Sequence, residues 1–172
     1  IAAEIGSMVV TDQVDALHFD EAWYAYAAFH EFYAGRHAMG VPRGHARADH
    51  TLVFATQSTH KLLAAFSQAS MIHVQESQKR KIDTTRFNDA FMMHTSTSPQ
   101  YGIIASLDVA SAMMEQPAGR SLVQETIDEA LSFRRAMQSV RDQMNGGWWF
   151  DIWQPDGILN KPAADRASWS LA

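Results

Sequence analysis

Short apolar runs alternate along this chain with longer segments in which apolar residues recur at helical spacing. Residues 14–19 and 52–56 are mainly apolar runs that end at polar residues, which is typical of parallel strands buried on both faces. Residues 69–74 predict a third strand. Because strands that alternate with helices are typical of an α/β sheet, we expect an α/β fold.

The second half of the chain is predicted to be mainly helical. Apolar residues recur at helical spacing in three segments, residues 84–94, 101–114 and 121–144. The run Asn145-Gly146-Gly147 is typical of a left-handed cap after the last of these helices. The remaining predictions are a helix end at 1–10, a helical start at 21–33, a surface loop at 35–49 and a strand at 148–153.

The composition is that of one globular domain. Of the 172 residues, 47% are hydrophobic and 19% are charged, which suits a packed core and not a disordered chain. The net charge of −5 argues against a general nucleic-acid binder, and no apolar run approaches the roughly 20 residues that span a membrane. Cysteine is absent, which excludes disulfides, thiol nucleophiles and cysteine-based zinc sites. We expect a cytoplasmic protein.

Both ends of the chain resemble interior positions of a longer protein. The first residue is isoleucine instead of methionine, and residues 168–172 begin an apolar–polar alternation like the start of a strand. We therefore interpret residues 1–172 as part of one larger domain, truncated at both ends. On this interpretation the fragment alone is inactive, and the function belongs to the longer protein.

A lysine and an aspartate each lie at the end of a predicted strand. Lys61 follows the strand at 52–56, and Asp20 follows the strand at 14–19. In open α/β sheets, ligands bind at the carboxyl ends of strands. A lysine that forms a Schiff base and a carboxylate that keeps a pyridine nitrogen protonated are what pyridoxal phosphate (PLP) chemistry requires.

Simpler interpretations of these residues remain open at this point. Most lysines are solvated surface charges, and Lys61 on its own does not exclude that role. Asp20 suits the N-cap of a following helix as well as it suits a cofactor partner. Ser58, Thr59 and His60, which precede the lysine, can all donate hydrogen bonds to a phosphate, and this favours the cofactor.

No metal site is expected from the histidines. His30 and Glu31 begin an HExxH-like run, but Ala34 stands where a zinc protease needs its second histidine. His45 and His50 lie five positions apart in a predicted loop, which is poor geometry for one helix face.

Three long segments resemble the bacterial ornithine/lysine/arginine decarboxylases. They are Leu17-His18-Phe19-Asp20-Glu21-Ala22-Trp23, the stretch 55–74 around Lys61, and residues 87–99. The resemblance runs in order through nearly the whole chain, and around Lys61 and residues 147–155 it is to the lysine decarboxylases in particular. It implies a fragment of an aspartate-aminotransferase-like, PLP-dependent large domain.

The resemblance also implies a role for each matching side chain. Lys61 would carry the cofactor as a Schiff base, and Asp20 would pair with the pyridine nitrogen; these two are the expected catalytic residues. Thr97 and Ser98 would lie near the phosphate bound to a neighbouring subunit. The full cofactor-binding set implied by the resemblance is Lys61, Asp20, Trp23 beside the ring, Ser58 and His60 at the phosphate, Thr97 and Ser98.

The activity implied by the resemblance is decarboxylation of a basic amino acid, foremost L-lysine to cadaverine and carbon dioxide, as in polyamine biosynthesis. Arginine and ornithine remain alternative substrates, because part of the substrate recognition lies outside this chain. Two rival interpretations remain: a non-catalytic assembly partner of such an enzyme, and an aminotransferase. We expect a homodimer or higher homo-oligomer, with neither nucleic acid nor a membrane as partner.

Overall fold

A small mixed sheet organises the part of the chain that the computed structural model describes, residues 14–40, 50–145, 147, 149–154 and 157–159. Its strands are β1 (Ala16–Asp20), β2 (Leu52–Gln57) and β3 (Met71–Gln75), adjacent in that order. β1 and β2 are parallel, whereas β3 runs antiparallel to β2. The three predicted strands are therefore confirmed, with small shifts of their ends.

One face of the sheet carries the apolar core. Val53 and Ala55 of β2 are buried together with Ala38, and Leu17 and Phe19 of β1 pack against them. These side chains share a face because successive residues of a strand alternate between the two faces and β1 pairs with β2 in parallel. The core thus lies between the β1–β2 pair and the segment that connects the two strands.

The opposite face of the sheet carries polar side chains near its end. His18 and Asp20 of β1 pair in register with Phe54 and Thr56 of β2 and share this second face. Phe54 stacks on Phe87, with ring centroids 6.4 Å apart and ring planes inclined by 18°. The stacking places a helix over the middle of this face and leaves its carboxyl end open.

The described helices are α1 (Thr59–Leu62), α2 (Thr84–His94), α3 (Tyr101–Met113) and α4 (Ala118–Gln143). Asp83 is the N-cap of α2, and its carboxylate accepts hydrogen bonds from the amides of Thr85 and Arg86 at 3.0 and 3.1 Å. After α4, Asn145 adopts the left-handed conformation with φ of 46°, as the cap prediction requires. The helical predictions for 84–94, 101–114 and 121–144 are confirmed to within a few residues.

The predicted helical start at 21–33 is wrong. This segment forms turns and two 3₁₀ helices, Ala27–Phe29 and Glu31–Tyr33. Tyr24, Tyr26 and Tyr33 contact one another edge to face, with centroids 5.2 to 5.7 Å apart. An α-helix would point residues two positions apart in different directions, so the cluster needs the tighter turns. Burial raises the pKa of Tyr24 to about 12 and that of Tyr33 in the same direction.

The strand prediction for 148–153 is also wrong for the residues that the structure describes. Residues 149–153 have no regular structure. Arg134 of α4 donates to the carbonyl oxygen of Trp153 at 3.0 Å, and Arg141 pairs with Asp151. The segment therefore folds back along α4 instead of joining a sheet. The predictions for 1–10, for 41–49 of the expected loop, for residue 148 and for a strand start at 168–172 lie outside the described residues.

A buried glutamate holds the segment that leaves β1. Glu21 is 8% exposed, and its carboxylate accepts hydrogen bonds from the Ala38 amide at 2.6 Å and from Gln57 Nε2 at 3.1 Å. A buried carboxylate is tolerated when hydrogen bonds replace its water, and here two donors do so. Glu21 thereby ties the β1 end to the β2 end and to the core-covering turn at Ala38.

Polar contacts join the same connection to α4. Arg120 forms a bidentate ion pair with Glu31, with its Nε 3.0 and 3.1 Å from the two carboxylate oxygens. His30 Nε2 and Gln124 Oε1 lie 2.9 Å apart. Hydrogen bonding to the Arg120 guanidinium lowers the pKa of Glu31 to about 2.

Among the described residues, no helix is both long and apolar enough to cross a membrane.

Replacing Glu21 tests its anchoring role. We expect Glu21→Ala to lower the free energy of unfolding by about 3 kcal/mol, because the Ala38 amide and the Gln57 side chain lose their buried acceptor. Glu21→Gln keeps one acceptor oxygen and should cost less. The exposed Glu115 provides the control, since Glu115→Ala should change stability by less than about 0.5 kcal/mol. Urea denaturation measures all three; equal effects for Glu21→Ala and Glu115→Ala would contradict the role.

The lowered pKa of Glu31 predicts a pH-dependent contribution to stability. A carboxyl group whose pKa is lower in the folded protein stabilises it above the ordinary value of 4.5, and this contribution is lost as the pH falls toward about 2. The melting temperature of the wild type should therefore exceed that of Glu31→Gln at neutral pH, and the difference should shrink below pH 4.5. Glu115→Gln, which removes an exposed carboxylate outside any described ion pair, should show no such trend.

Candidate active site

Asp20 is the last residue of β1 and lies at the carboxyl edge of the sheet. It pairs in register with Thr56 of the parallel neighbour, and its side chain is exposed. Its Oδ1 accepts a hydrogen bond from the Ala22 amide at 3.1 Å. No α-helix begins after it in the described connection, so Asp20 supports a tight turn and not a helix N-cap. That leaves Oδ2 available for another partner.

Two further polar side chains lie on the same face as Asp20, and sequence reasoning did not single them out as site residues. His18 precedes Asp20 by two positions in β1, and its Nε2 lies 2.6 Å from Thr56 Oγ1 of β2. Because residues two apart in a strand share a face, the alternation along β1 was a signal for placing His18 beside Asp20. The cross-strand hydrogen bond orients both side chains next to the aspartate.

Lys61 lies just beyond β2, in the short helix α1. Its amide donates to the carbonyl oxygen of Ser58 at 3.0 Å, which forms the turn that carries the lysine out of the strand. The Lys61 Nζ lies 4.8 Å from the centroid of the Trp23 ring, within the range of a cation–π contact. No acidic side chain of the described residues pairs with this amine. The structure thus brings Lys61 and Trp23 together and leaves the amine accessible.

The three residues before the lysine differ in what they offer a ligand. The Ser58 hydroxyl has no partner among the described residues, and the side chain is partly exposed. Thr59 is 2% exposed and its Oγ1 has no hydrogen-bond partner there, so its expected role as a donor to a phosphate stays a prediction. His60 Nδ1 lies 2.8 Å from the carbonyl oxygen of Ala69. Since a carbonyl oxygen only accepts, Nδ1 carries a hydrogen and Nε2 is the free edge.

Thr97 and Ser98 lie in the exposed connection between α2 and α3. The Ser98 amide donates to Ser96 Oγ at 3.1 Å, which shapes a local turn. No described hydrogen bond joins this connection to Asp20 or Lys61. Their expected role toward a neighbouring subunit is not tested by a single chain and stays a prediction.

A cleft of about 720 Å³ opens beside the Lys61 turn. Its walls come from the aromatic connection after β1, from the residues that follow Lys61, and from α3 and α4. Trp23, Tyr26 and Tyr33 line one side, and Leu62, Met114 and Val123 are among the residues of the other. The lysine turn therefore borders open space large enough for a small molecule.

The functional groups at this edge fit PLP by their chemistry. Lys61 offers a primary amine, and Asp20 offers a carboxylate at the end of the adjacent strand. The unpartnered hydroxyl of Ser58 suits a phosphate, the free edge of His60 does so when both ring nitrogens carry a hydrogen, and Trp23 presents an exposed aromatic face. These are the group types that a PLP site uses to attach, polarise and anchor the cofactor.

Comparison with known proteins identifies the family of the chain. The family model described as "Orn/Lys/Arg decarboxylase, major domain" matches residues 3–171. The lysine decarboxylase LdcA of Pseudomonas aeruginosa is 63% identical over 170 residues, which cover 98% of this chain and 22% of that protein. The biodegradative arginine decarboxylase of Escherichia coli is 52% identical over 149 residues, or 85% of this chain and 19% of that protein.

Solved structures give the same result for the fold. The structure of lysine decarboxylase A from Pseudomonas aeruginosa superimposes with a TM-score of 0.77 at 67% sequence identity, over 88% of this chain and 20% of that one. The chain therefore spans about a fifth of the length of the relatives it matches. The predicted α/β fold, as a part of a large domain, is confirmed, and the chain belongs to the Orn/Lys/Arg decarboxylase family, with strong similarity to its lysine decarboxylases.

Proposed function

We propose that residues 1–172 form part of the PLP-binding large domain of a longer enzyme that removes the carboxylate of a basic amino acid, foremost L-lysine. One observation carries the proposal. The parallel pairing of β1 with β2 puts Asp20 beside Thr56, a few positions before Lys61, so that a carboxylate and an accessible amine occupy the same edge of the sheet.

Each side chain at this edge has a distinct task in the proposal. When bound, PLP supplies an electron sink for the electron pair that is left on the substrate as carbon dioxide departs. Lys61 provides the amine that attaches the cofactor, and Asp20 places a negative charge that holds the proton of the ring nitrogen. The Ser58 hydroxyl donates to the phosphate, His60 contacts the phosphate through its free ring edge, and Trp23 packs beside the ring. Their main contribution is orientation and a fixed charge.

The substrate is proposed from the relatives and not from a specificity pocket in this chain. Lysine is the substrate named for the relative at 63% identity, whose alignment covers nearly all of these residues. Arginine is the second candidate, because an arginine decarboxylase is 52% identical over 149 residues. Ornithine decarboxylases are more distant, at 35% identity over 169 residues. The order of these sequence identities therefore favours lysine as the substrate, followed by arginine and then ornithine.

We further propose that the enzyme works in the cytoplasm as a homodimer or larger homo-oligomer. Thr97 and Ser98 are exposed, and so are large apolar side chains on the neighbouring helices, including Met93 and Tyr101. Exposed apolar groups of this size are typical of surfaces that a protein partner covers. This arrangement supports a role for Thr97 and Ser98 toward the cofactor phosphate of a second subunit.

Reduction with borohydride in the presence of PLP tests the cofactor assignment directly. In the full-length protein that contains this chain, we expect mass mapping of peptides to find a pyridoxyl group on Lys61 and carbon dioxide to be released from L-lysine in preference to L-arginine and L-ornithine. Lys61→Ala should abolish the label and reduce the rate on the order of a thousandfold or more. Lys81→Ala is the matched control, since Lys81 pairs with Glu76 in an exposed loop.

The outcomes separate the rival interpretations. A folded protein without a label on Lys61 would favour the non-catalytic assembly partner. A label without release of carbon dioxide would favour an aminotransferase. A higher rate with L-arginine would keep the mechanism and change the substrate.

Replacing Asp20 with asparagine distinguishes the role of its negative charge from its role in the local turn. Asparagine keeps an Oδ1 that can accept from the Ala22 amide, so the local turn should survive. The negative charge is lost, and we expect the rate of decarboxylation to fall by about a hundredfold while the melting temperature stays close to that of the wild type. Asp83→Asn keeps the cap of α2 and serves as the control. A nearly unchanged rate for Asp20→Asn would show that Asp20 has only a structural role.

A further inference from the structure

The turn that follows Lys61 folds back onto the residue before it. The Ala69 carbonyl oxygen accepts two hydrogen bonds from His60, one from the backbone amide at 3.1 Å and one from Nδ1 at 2.8 Å. Ala69 itself is 1% exposed. The position of His60, and with it the direction in which Lys61 leaves the strand, therefore depends on where residues 63–70 are held.

This turn has little apolar packing of its own. Ala64, Phe66, Ser67 and Gln68 are all exposed, and the Phe66 side chain is 64% exposed. Gln68 has a φ of 77°, in the left-handed region that a side chain such as glutamine rarely adopts. A strained backbone on an exposed turn persists only if other contacts fix it.

One such contact comes from a buried serine of α3. Ser106 is 7% exposed, and its Oγ accepts a hydrogen bond from the Phe66 amide at 3.0 Å. The same hydroxyl donates to the Ile103 carbonyl oxygen at 2.7 Å within its own helix. Because its hydrogen is committed to Ile103, the hydroxyl faces the turn with a lone pair and can only accept there. The hydrogen bond joins two segments that lie forty positions apart.

We propose that Ser106 is a positioning residue for Lys61. Its hydroxyl holds the turn at Phe66, the turn places the Ala69 carbonyl oxygen, and that oxygen orients His60 and Lys61 at the end of β2. The role toward the lysine rests on the proposed function, whereas the hydrogen bond that braces the turn does not. The chain also offers a matched control. Ser111 lies in the same helix and donates to the Leu107 carbonyl oxygen at 2.9 Å, but it is exposed and hydrogen-bonds to no other element of the described residues.

Amide hydrogen exchange of the full-length protein tests the brace independently of any cofactor. We expect Ser106→Ala to raise the exchange of peptides covering residues 62–69 by about fivefold, because one hydrogen bond of the turn is lost. Ser111→Ala should leave the exchange of these peptides unchanged. Circular dichroism of both variants shows whether the fold is retained. Equal exchange in the two variants would overturn the proposal.

The reaction of Lys61 with PLP tests the positioning role. Ser106→Ala should slow the appearance of the borohydride-trapped label on Lys61 and shift the pH midpoint of the visible absorbance of the bound cofactor, whereas Ser111→Ala should change neither. Faster exchange with an unchanged labelling rate and midpoint would reduce Ser106 to a structural residue and overturn the inference. If the wild type carries no label on Lys61, the proposed function fails, and the positioning role fails with it. In that case the exchange experiment still tests whether the Ser106 hydroxyl holds the turn at Phe66.

Discussion

The parallel pairing of β1 with β2 is the constraint on which the candidate site depends. Parallel strands bring their carboxyl ends to one edge, and the register that opposes Asp20 to Thr56 sets the aspartate beside the start of the lysine turn. A shift of one residue would turn Asp20 toward Val53 and Ala55, where an unpaired carboxylate would be buried. Leu17 and Phe19 oppose that shift, because it would move them from the core to the opposite face of the sheet. The apolar face thus determines which polar groups meet on the other face.

The connection after β1 depends on a second, buried interaction. Glu21 follows Asp20 directly, and its carboxylate ties the Ala38 amide and Gln57 together inside the protein. One residue therefore points to the open edge and the next to the interior, as alternation along the chain requires. The anchored connection then carries Trp23 back over the Lys61 amine. Two adjacent residues thus have different roles: Glu21 anchors the packing of the connection, and Asp20 belongs to the candidate site.

Local pattern in the sequence was sufficient for the elements and for part of the site. Apolar runs and helical spacing identified β1, β2, β3 and the three long helices, because each has a clear period and polar ends. The strand-end positions of Asp20 and Lys61 followed from the same pattern. The turns of the tyrosine-rich segment could not be predicted from this pattern, since contacts between the rings determine them and local propensity does not. The hydrogen bond between His18 and Thr56 and the one from Phe66 to Ser106 join residues 38 and 40 positions apart, which no local window contains.

The outer surface of α2 and α3 carries exposed apolar side chains next to the two hydroxyl groups that we propose for the phosphate of a second subunit. Phe91, Met92, Met93 and Tyr101 are 41%, 43%, 79% and 78% exposed, which is costly for apolar side chains of this size in water. These residues flank the connection that carries Thr97 and Ser98. If a second subunit covers the apolar side chains, the same contact brings the two hydroxyl groups against that subunit. Burial of the apolar surface would then stabilise the assembly and complete the phosphate site in one step, so a protein without this contact would lack both.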